Sequence, residues 1–116
     1  MLVGSEARLN QRVYEKLRQV ARAKGVIAYA EIAPLAGIGI TNPRDPRLSR
    51  ILHEICSYEV QHGRPMLGAV VVRKVDNRPG DGFFNRAREL GLFRGSDKLA
   101  FWANELNRVY TYWASH

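Results

Sequence analysis

The sequence predicts a mainly α-helical fold with a small β component. Apolar residues recur at three- and four-residue spacing in three long segments, residues 5–24, 45–63 and 97–113. This spacing is typical of helices that bury one face. Two short apolar runs, residues 26–29 and 66–72, favour buried strands, and the second contains three consecutive valines.

The helix predicted over residues 45–63 has the clearest start and end signals. Asp45 is a good N-cap residue, Pro46 suits the first helical position, and Gly63 can adopt the left-handed conformation that ends a helix. The apolar stripe consists of Leu48, Ile51, Leu52 and Ile55. The polar face carries Arg50, His53, Glu54, Ser57 and Gln61, with Arg47 and Ser49 at its margins. Glu59 lies near the stripe, so it needs a cationic or hydroxyl partner unless the helix frays before it.

The N-terminal half of the chain is expected to contain two further helices. Ser5 is expected to cap the first, which continues to residue 24 and ends at Gly25. The second covers residues 30–36 and ends at Gly37. Residues 38–46 contain two prolines, a glycine and an asparagine, and are therefore expected to form the loop before the helix at residue 45.

The C-terminal half is expected to begin with a loop over residues 73–82, where Asp-Asn and Pro-Gly pairs favour turns. A short helix over residues 83–90 ends at Gly91. Ser96 then caps a final helix over residues 97–113, whose stripe consists of Leu99, Trp102, Leu106, Val109 and Trp113.

Two aromatic residues of the final helix, Phe101 and Tyr112, lie about 100° away from that stripe. They are expected to form a surface for a protein partner or a homodimer through the C-terminal helix. The alternative is that the first helix or the helix over residues 83–90 covers them.

Composition limits the class of protein. The 116 residues are the size of one domain, expected over residues 1–116 with a core over residues 1–92 and a C-terminal helix over residues 96–114.

The net charge of +7 and the pI of about 10.1 are typical of nucleic-acid-binding domains. No apolar run could cross a bilayer or serve as a signal core, so we expect no membrane contact and a cytoplasmic location. A single cysteine, Cys56, fits a reducing compartment.

Catalytic and metal-binding motifs are incomplete. His53 and Glu54 begin the zinc-protease pattern His-Glu-x-x-His, but Ser57 occupies its fifth position. The glycines of residues 79–82 lack the pattern and the Lys-Ser/Thr tail of a phosphate-binding loop. Cys56 is expected to be a packed side chain rather than a nucleophile. We therefore expect no metal, no cofactor and no enzymatic activity. The enzymatic alternative needs an acid–base pair in a pocket, such as Glu54 with His53 or Glu59.

The order of elements, with YAEIAPLAG at residues 29–37 and SRILHEI at residues 49–55, resembles a known DNA-binding domain. It is similar to the C-terminal domain of alkylguanine-DNA alkyltransferases and of the alkyltransferase-like proteins, over residues 11–92. The resemblance implies a winged helix-turn-helix with extra C-terminal helices. The segments GRPMLGAVVVRK and PGDGFF also look like those of uncharacterised small bacterial proteins, which implies no function.

The resemblance also suggests roles for particular residues. Tyr29 matches the family's tyrosine at the DNA backbone, and Arg50 matches the arginine that enters the duplex and fills the gap left by a flipped base. The family's reactive strand opens Pro-Cys-His-Arg, whereas Pro65 is followed here by Met66. Alkyl transfer needs a thiolate, so the reaction is not expected at this position. His53 replaces the glycine at which the family's helix packs against DNA.

Charge and resemblance together predict a non-enzymatic protein that binds double-stranded DNA, with alkyltransferase-like damage recognition as a narrower form. The side chains expected on phosphates are Arg44, Arg47, Arg73, Lys74 and Arg78. Those expected to reach bases are Ser49, Arg50 and His53, and Tyr29 is expected at the backbone. The alternative function is a protein-interaction module on a winged-helix scaffold.

Overall fold

The computed structural model describes residues 9–39 and 45–116, and these residues form a mainly helical fold with a small sheet. This confirms the predicted fold class. The helices are α1 (Gln11–Arg22), α2 (Tyr29–Ile32), α3 (Pro46–Gln61), α4 (Asp81–Glu89) and α5 (Lys98–Trp113). The strands are β1 (Ile27–Ala28) and β2 (Val71–Val72), and 3₁₀ turns cover Ala33–Ala36 and Leu67–Val70. None of the helices in the described ranges has the length and apolar character needed to cross a bilayer.

Helix α3 has the predicted boundaries. The Asp45 carboxylate accepts a hydrogen bond from the backbone N–H of Arg47, and Pro46 occupies the first helical position. At the other end His62 is the C-cap, and Gly63 has a φ of 73°. That conformation is unfavourable for residues with a Cβ, so the glycine ends the helix as predicted.

Two helices have N-caps other than the predicted residues, and one of those predictions lies outside the described residues. Helix α1 begins at Gln11, where the Asn10 side chain accepts from the Val13 N–H at 3.1 Å. Ser5, the predicted cap, lies outside the described residues, but residues 9 and 10 are not helical. Helix α5 is capped by Asp97, which accepts from the Ala100 N–H at 3.0 Å, rather than by Ser96. In both cases the cap is the residue whose side-chain oxygen reaches the free N–H of the first turn.

The strand predicted over residues 66–72 is correct only at its end. Val71 and Val72 pair in parallel with Ile27 and Ala28, while residues 67–70 form a buried 3₁₀ turn. An apolar run alone does not distinguish a buried strand from another buried conformation. Because β1 and β2 are parallel, they do not form the antiparallel hairpin of a wing, and the winged-helix arrangement stays a prediction.

The turn at residues 67–70 lies in the core, packed against α1, α3 and α5. The Glu105 carboxylate of α5 accepts the backbone N–H of Met66 at 2.8 Å. From the same helix, the Trp102 indole N–H donates to the Ala69 carbonyl at 2.9 Å. These side chains satisfy backbone groups that a regular strand would have paired with a neighbouring strand.

Glu59 is fully buried and has both kinds of partner that its position requires. The Tyr14 hydroxyl of α1 donates to it at 2.9 Å, and Arg64 donates from Nε at 3.0 Å and from Nη2 at 2.8 Å. Burial, and then the negative charge of Glu59, raises the pKa of Tyr14. Helix α3 therefore does not fray before Glu59, and the Glu59 carboxylate joins α1 to the end of α3.

The aromatic residues of α5 pack largely within the chain. Phe101 stacks on Phe93 with ring centroids 4.8 Å apart and contacts Phe83 of α4 at 6.0 Å. Phe101 is therefore covered partly by α4, the helix predicted over residues 83–90, as in the second of the two alternatives. Tyr112 stacks on His116. The predicted stripe of α5 is wrong at Leu99, which is 49% exposed, since it lies in the first turn before the helix reaches the core.

We expect Arg64→Ala to lower the free energy of unfolding by about 3–5 kcal/mol, because it leaves the buried Glu59 carboxylate without its cation. Tyr14→Phe removes one hydrogen bond to the same carboxylate and should cost about 1–3 kcal/mol. Urea denaturation followed by circular dichroism measures both. Arg47→Ala, which breaks a surface pair with Asp45, is the control and should cost less than either. Equal effects of Arg64→Ala and Arg47→Ala would contradict this role for Glu59.

Candidate nucleic-acid interface

A cavity of about 650 Å³ lies where α3, α4 and the ends of both strands meet. Its volume is within the range of small-molecule and cofactor sites. The residues that line it are Ala28, Tyr29, Ala30, Ser49, Leu52, His53, Cys56, Gly68, Arg73, Lys74, Val75, Gly80, Asp81, Gly82, Phe83 and Arg86. They come from five separate parts of the chain, so the cavity is a product of the tertiary fold.

The parallel sheet brings two predicted DNA contacts together. The carboxyl ends of parallel strands lie at the same edge of a sheet. Tyr29 follows β1 and Arg73 follows β2, so both enter the cavity from that edge. The Tyr29 hydroxyl accepts the Gly80 N–H at 3.2 Å, which ties the end of β1 to the start of α4. Burial raises the pKa of Tyr29, so its hydroxyl remains protonated near neutral pH.

The loop after β2 is closed by its own hydrogen bonds. The Arg73 N–H donates to the Arg78 carbonyl and the Asn77 N–H donates to the Arg73 carbonyl, both at 2.8 Å. Asp76 accepts from the Arg73 guanidinium at 2.5 Å and from the Arg78 N–H at 3.2 Å. The loop is therefore pre-organised, and Val75, 85% exposed, lies beside the cavity opening.

One face of α3 forms the opposite wall. Ser49, Leu52, His53 and Cys56 fall at helical spacing on that face. His53 Nε2 lies 3.1 Å from the Gly82 carbonyl. Since a carbonyl only accepts, Nε2 carries the proton. Burial, and then the positive charge of Arg86, lowers the pKa of His53, so the ring is neutral at physiological pH and holds α3 against α4.

Cys56 is packed at the cavity floor, as expected from its position on the helix. It is a free thiol and 3% exposed. A Cβ built on Gly68 would lie 2.7 Å from the Cys56 Sγ, so only glycine allows this close approach. Burial raises the pKa of the Cys56 thiol to about 12. The thiol is therefore protonated at neutral pH, which disfavours nucleophilic chemistry.

Five of the nine predicted DNA contacts line this one cavity: Tyr29, Ser49, His53, Arg73 and Lys74. Arg47, Arg50 and Arg78 are exposed and lie outside the lining. Arg47 is held by Asp45 in a surface pair, and its hydrogen bond lowers the pKa of Asp45 to about 2. Arg44 lies outside the described residues.

Sequence reasoning missed the contribution of α4 to the site. Arg86 and Phe83 are three residues apart on one face of α4, and both line the cavity. Asp81 and Leu52 were missed as well. The spacing of Phe83 and Arg86 was visible in the sequence, but the face of α4 that would meet α3 depends on tertiary packing.

The lining combines apolar walls with hydrogen-bond donors. In the part of the chain that the structure describes, no three His, Cys, Asp or Glu side chains are grouped as ligands of a metal would be. Cationic Arg73, Lys74 and Arg86 outnumber the carboxylate of Asp81. The geometry suits binding of a planar or apolar group that also carries hydrogen-bond acceptors.

No protein-family model matches the sequence, and comparisons with curated proteins and with solved structures also find no match.

We expect Gly68→Ala to lower the free energy of unfolding by about 1–3 kcal/mol, because the added methyl group overlaps the Cys56 Sγ. Cys56→Ala removes that sulfur and should rescue part of the loss, which gives a coupling energy of about 0.5–3 kcal/mol between the two sites. Gly95→Ala is the control, since nothing lies within 4 Å of its Cβ position. Denaturant unfolding of the two single variants and the double variant measures the coupling, and strict additivity would contradict the close approach.

Proposed function

We propose that this protein binds double-stranded DNA without catalysing a reaction, and that its cavity receives a nucleotide turned out of the duplex. One observation carries the proposal. The five predicted contacts that line the cavity come from three separate parts of the chain, α2, α3 and the loop after β2. Their convergence on a concave site supports a common ligand.

The cavity has suitable dimensions and chemistry for a nucleobase. Its volume of about 650 Å³ is large enough for a nucleotide-sized ligand. Phe83 and Leu52 provide apolar surface against which a base can pack, and Ser49 and Tyr29 provide hydroxyl groups for its polar edge. Turning a base out of the duplex costs a few kcal/mol, and the cost is smaller for a damaged or mismatched base. The proposal therefore includes a preference for damaged or mispaired sites.

Basic residues around the cavity supply the phosphate contacts. Lys74 and Arg78 project from the closed loop, and Arg50 is exposed on α3 directly after Ser49. Within the described part of the chain, Arg50 forms no ion pair, whereas Arg47 is held by Asp45. An exposed arginine without an ion pair, one residue after the cavity-lining Ser49, supports the role implied by the resemblance, entry into the base stack next to the extruded nucleotide.

The side chains at the two candidate nucleophile positions, 56 and 66, are consistent with binding without reaction. The position after Pro65, where the resembling family has its nucleophile, holds Met66, which is fully buried. The Cys56 thiol is protonated and covered by Gly68. Neither side chain is placed as an activated nucleophile, so we propose recognition of an altered nucleotide rather than its repair.

The proposal predicts salt-dependent binding to duplex DNA with separable contributions. Lys74→Ala and Arg78→Ala should each weaken binding to all duplexes alike and lower the salt slope by about one unit. Arg50→Ala should cost about 1–3 kcal/mol on a preferred site and less on a random duplex. Fluorescence anisotropy at several salt concentrations measures these effects. The control is Arg88→Ala, since Arg88 stacks over Phe93 outside the cavity lining.

Two results would contradict the proposal. If the folded parent protein binds no duplex at low salt, DNA binding is wrong and the protein-interaction module with its C-terminal helix surface becomes the better hypothesis. If Arg88→Ala lowers the salt slope as much as Lys74→Ala, binding follows net charge and does not involve the cavity. Circular dichroism confirms first that each variant is folded.

A further inference from the structure

The cavity lining carries more positive than negative side chains, although a neutral base needs no charged partner. Three cationic side chains, Arg73, Lys74 and Arg86, line it. The carboxylate in the lining belongs to Asp81, whose side chain is 83% exposed and lies 3.7 Å from Lys98 Nζ. Asp81 is thus mostly in solvent, and its single negative charge, which also acts on Arg73, leaves the three cations of the lining in excess.

The two arginines are incompletely satisfied by the protein. Arg73 pairs with Asp76, which also accepts from the loop backbone, and Arg86 pairs with Glu89 at 3.2 Å. The Glu89 side chain is 64% exposed, so solvent weakens that pair. The Nε–H groups of both arginines are buried and have no acceptor among the described residues. Lys74 takes part in no ion pair in the same part of the chain. The cavity is thus rich in donors and poor in acceptors.

Two other polar groups of the lining, Tyr29 and His53, are already engaged with the backbone. The Tyr29 hydroxyl already accepts from the Gly80 N–H, and its own proton is left to donate. The His53 Nε2–H is used by the Gly82 carbonyl. A ligand that carries negatively charged oxygen atoms and an apolar ring would complement both the cations of the lining and the wall formed by Leu52 and Phe83.

We propose that the cavity binds the phosphate monoester of a nucleotide, so that a free nucleoside monophosphate or the 5′-phosphorylated end of a DNA strand binds without an intact duplex. Arg73, Lys74 and Arg86 bind the phosphate oxygens, with a modest rotation of the guanidinium groups toward them. The base packs against Leu52 and Phe83. The inference rests on the proposed function only in placing a nucleotide in the cavity.

Isothermal titration calorimetry with the full chain tests this inference. The probes are the four deoxynucleoside monophosphates, the corresponding nucleosides and inorganic phosphate. At least one monophosphate is expected to bind with a dissociation constant near or below about 1 mM. The matching nucleoside and inorganic phosphate should each bind at least about tenfold more weakly, because each lacks one half of the recognised group. Equal affinity for nucleoside and monophosphate, or for inorganic phosphate and monophosphate, would overturn the inference.

The matched variants are Arg86→Gln and Arg88→Gln, which lie on the same helix and remove the same charge. Arg86→Gln should weaken monophosphate binding about 10- to 100-fold, as expected for loss of a charged hydrogen bond, while Arg88→Gln stays close to the parent. Arg73→Gln gives a second measurement if Arg86→Gln does not fold. Equal effects of the position 86 and position 88 variants would overturn the role of the cavity.

Two further titrations separate the sources of the ligand and the two proposals. Single-stranded oligonucleotides with a 5′-phosphate or a 5′-hydroxyl, otherwise identical, show whether strand ends or free nucleotides are preferred, and the inference requires the 5′-phosphate to strengthen binding. Duplex binding is measured in parallel. Monophosphate binding without duplex binding would overturn the proposed function and support this inference, while duplex binding without monophosphate binding would overturn the inference alone.

Discussion

A buried stretch of backbone that is neither α-helix nor sheet constrains the whole structure. Residues 66–70 are buried, and their polar groups need partners inside the protein. Helix α5 provides them through the Glu105 carboxylate and the Trp102 indole. Once this stretch is fixed, Gly68 faces the cavity, β2 can pair with β1, and the basic loop begins at the sheet edge. The site therefore depends on a helix that contributes no residue to its lining.

The Glu59 carboxylate provides the second support. It joins Tyr14 of α1 to Arg64, which follows α3, and so fixes α3 against the core from one end. The His53 bond to the Gly82 carbonyl fixes α3 against α4 nearer the other end. With both contacts in place, the face of α3 that carries Ser49, Leu52, His53 and Cys56 forms a rigid wall of the cavity. Rigidity of this kind lowers the entropic cost of binding a ligand.

Local signals explain which features could be predicted from the sequence. The ends of α3 depend on Asp45, Pro46 and Gly63, whose preferences operate within a few residues, and the need of Glu59 for partners followed from the helical period. The conformation of residues 66–70 could not be predicted, because it is decided by side chains of α5 some forty positions later. The cavity was beyond sequence reasoning for the same reason, although five of its residues had been identified by charge, position and resemblance.

The most direct test of DNA binding at the cavity is a heteronuclear NMR titration of the ¹⁵N-labelled protein with a short duplex that contains one mismatched or alkylated base. We expect the largest amide shift changes at Tyr29, Lys74, Gly80 and Gly82, with little change at Val109 in the core-facing part of α5. Changes concentrated on the exposed side of α5, with the cavity amides unaffected at saturation, would contradict it.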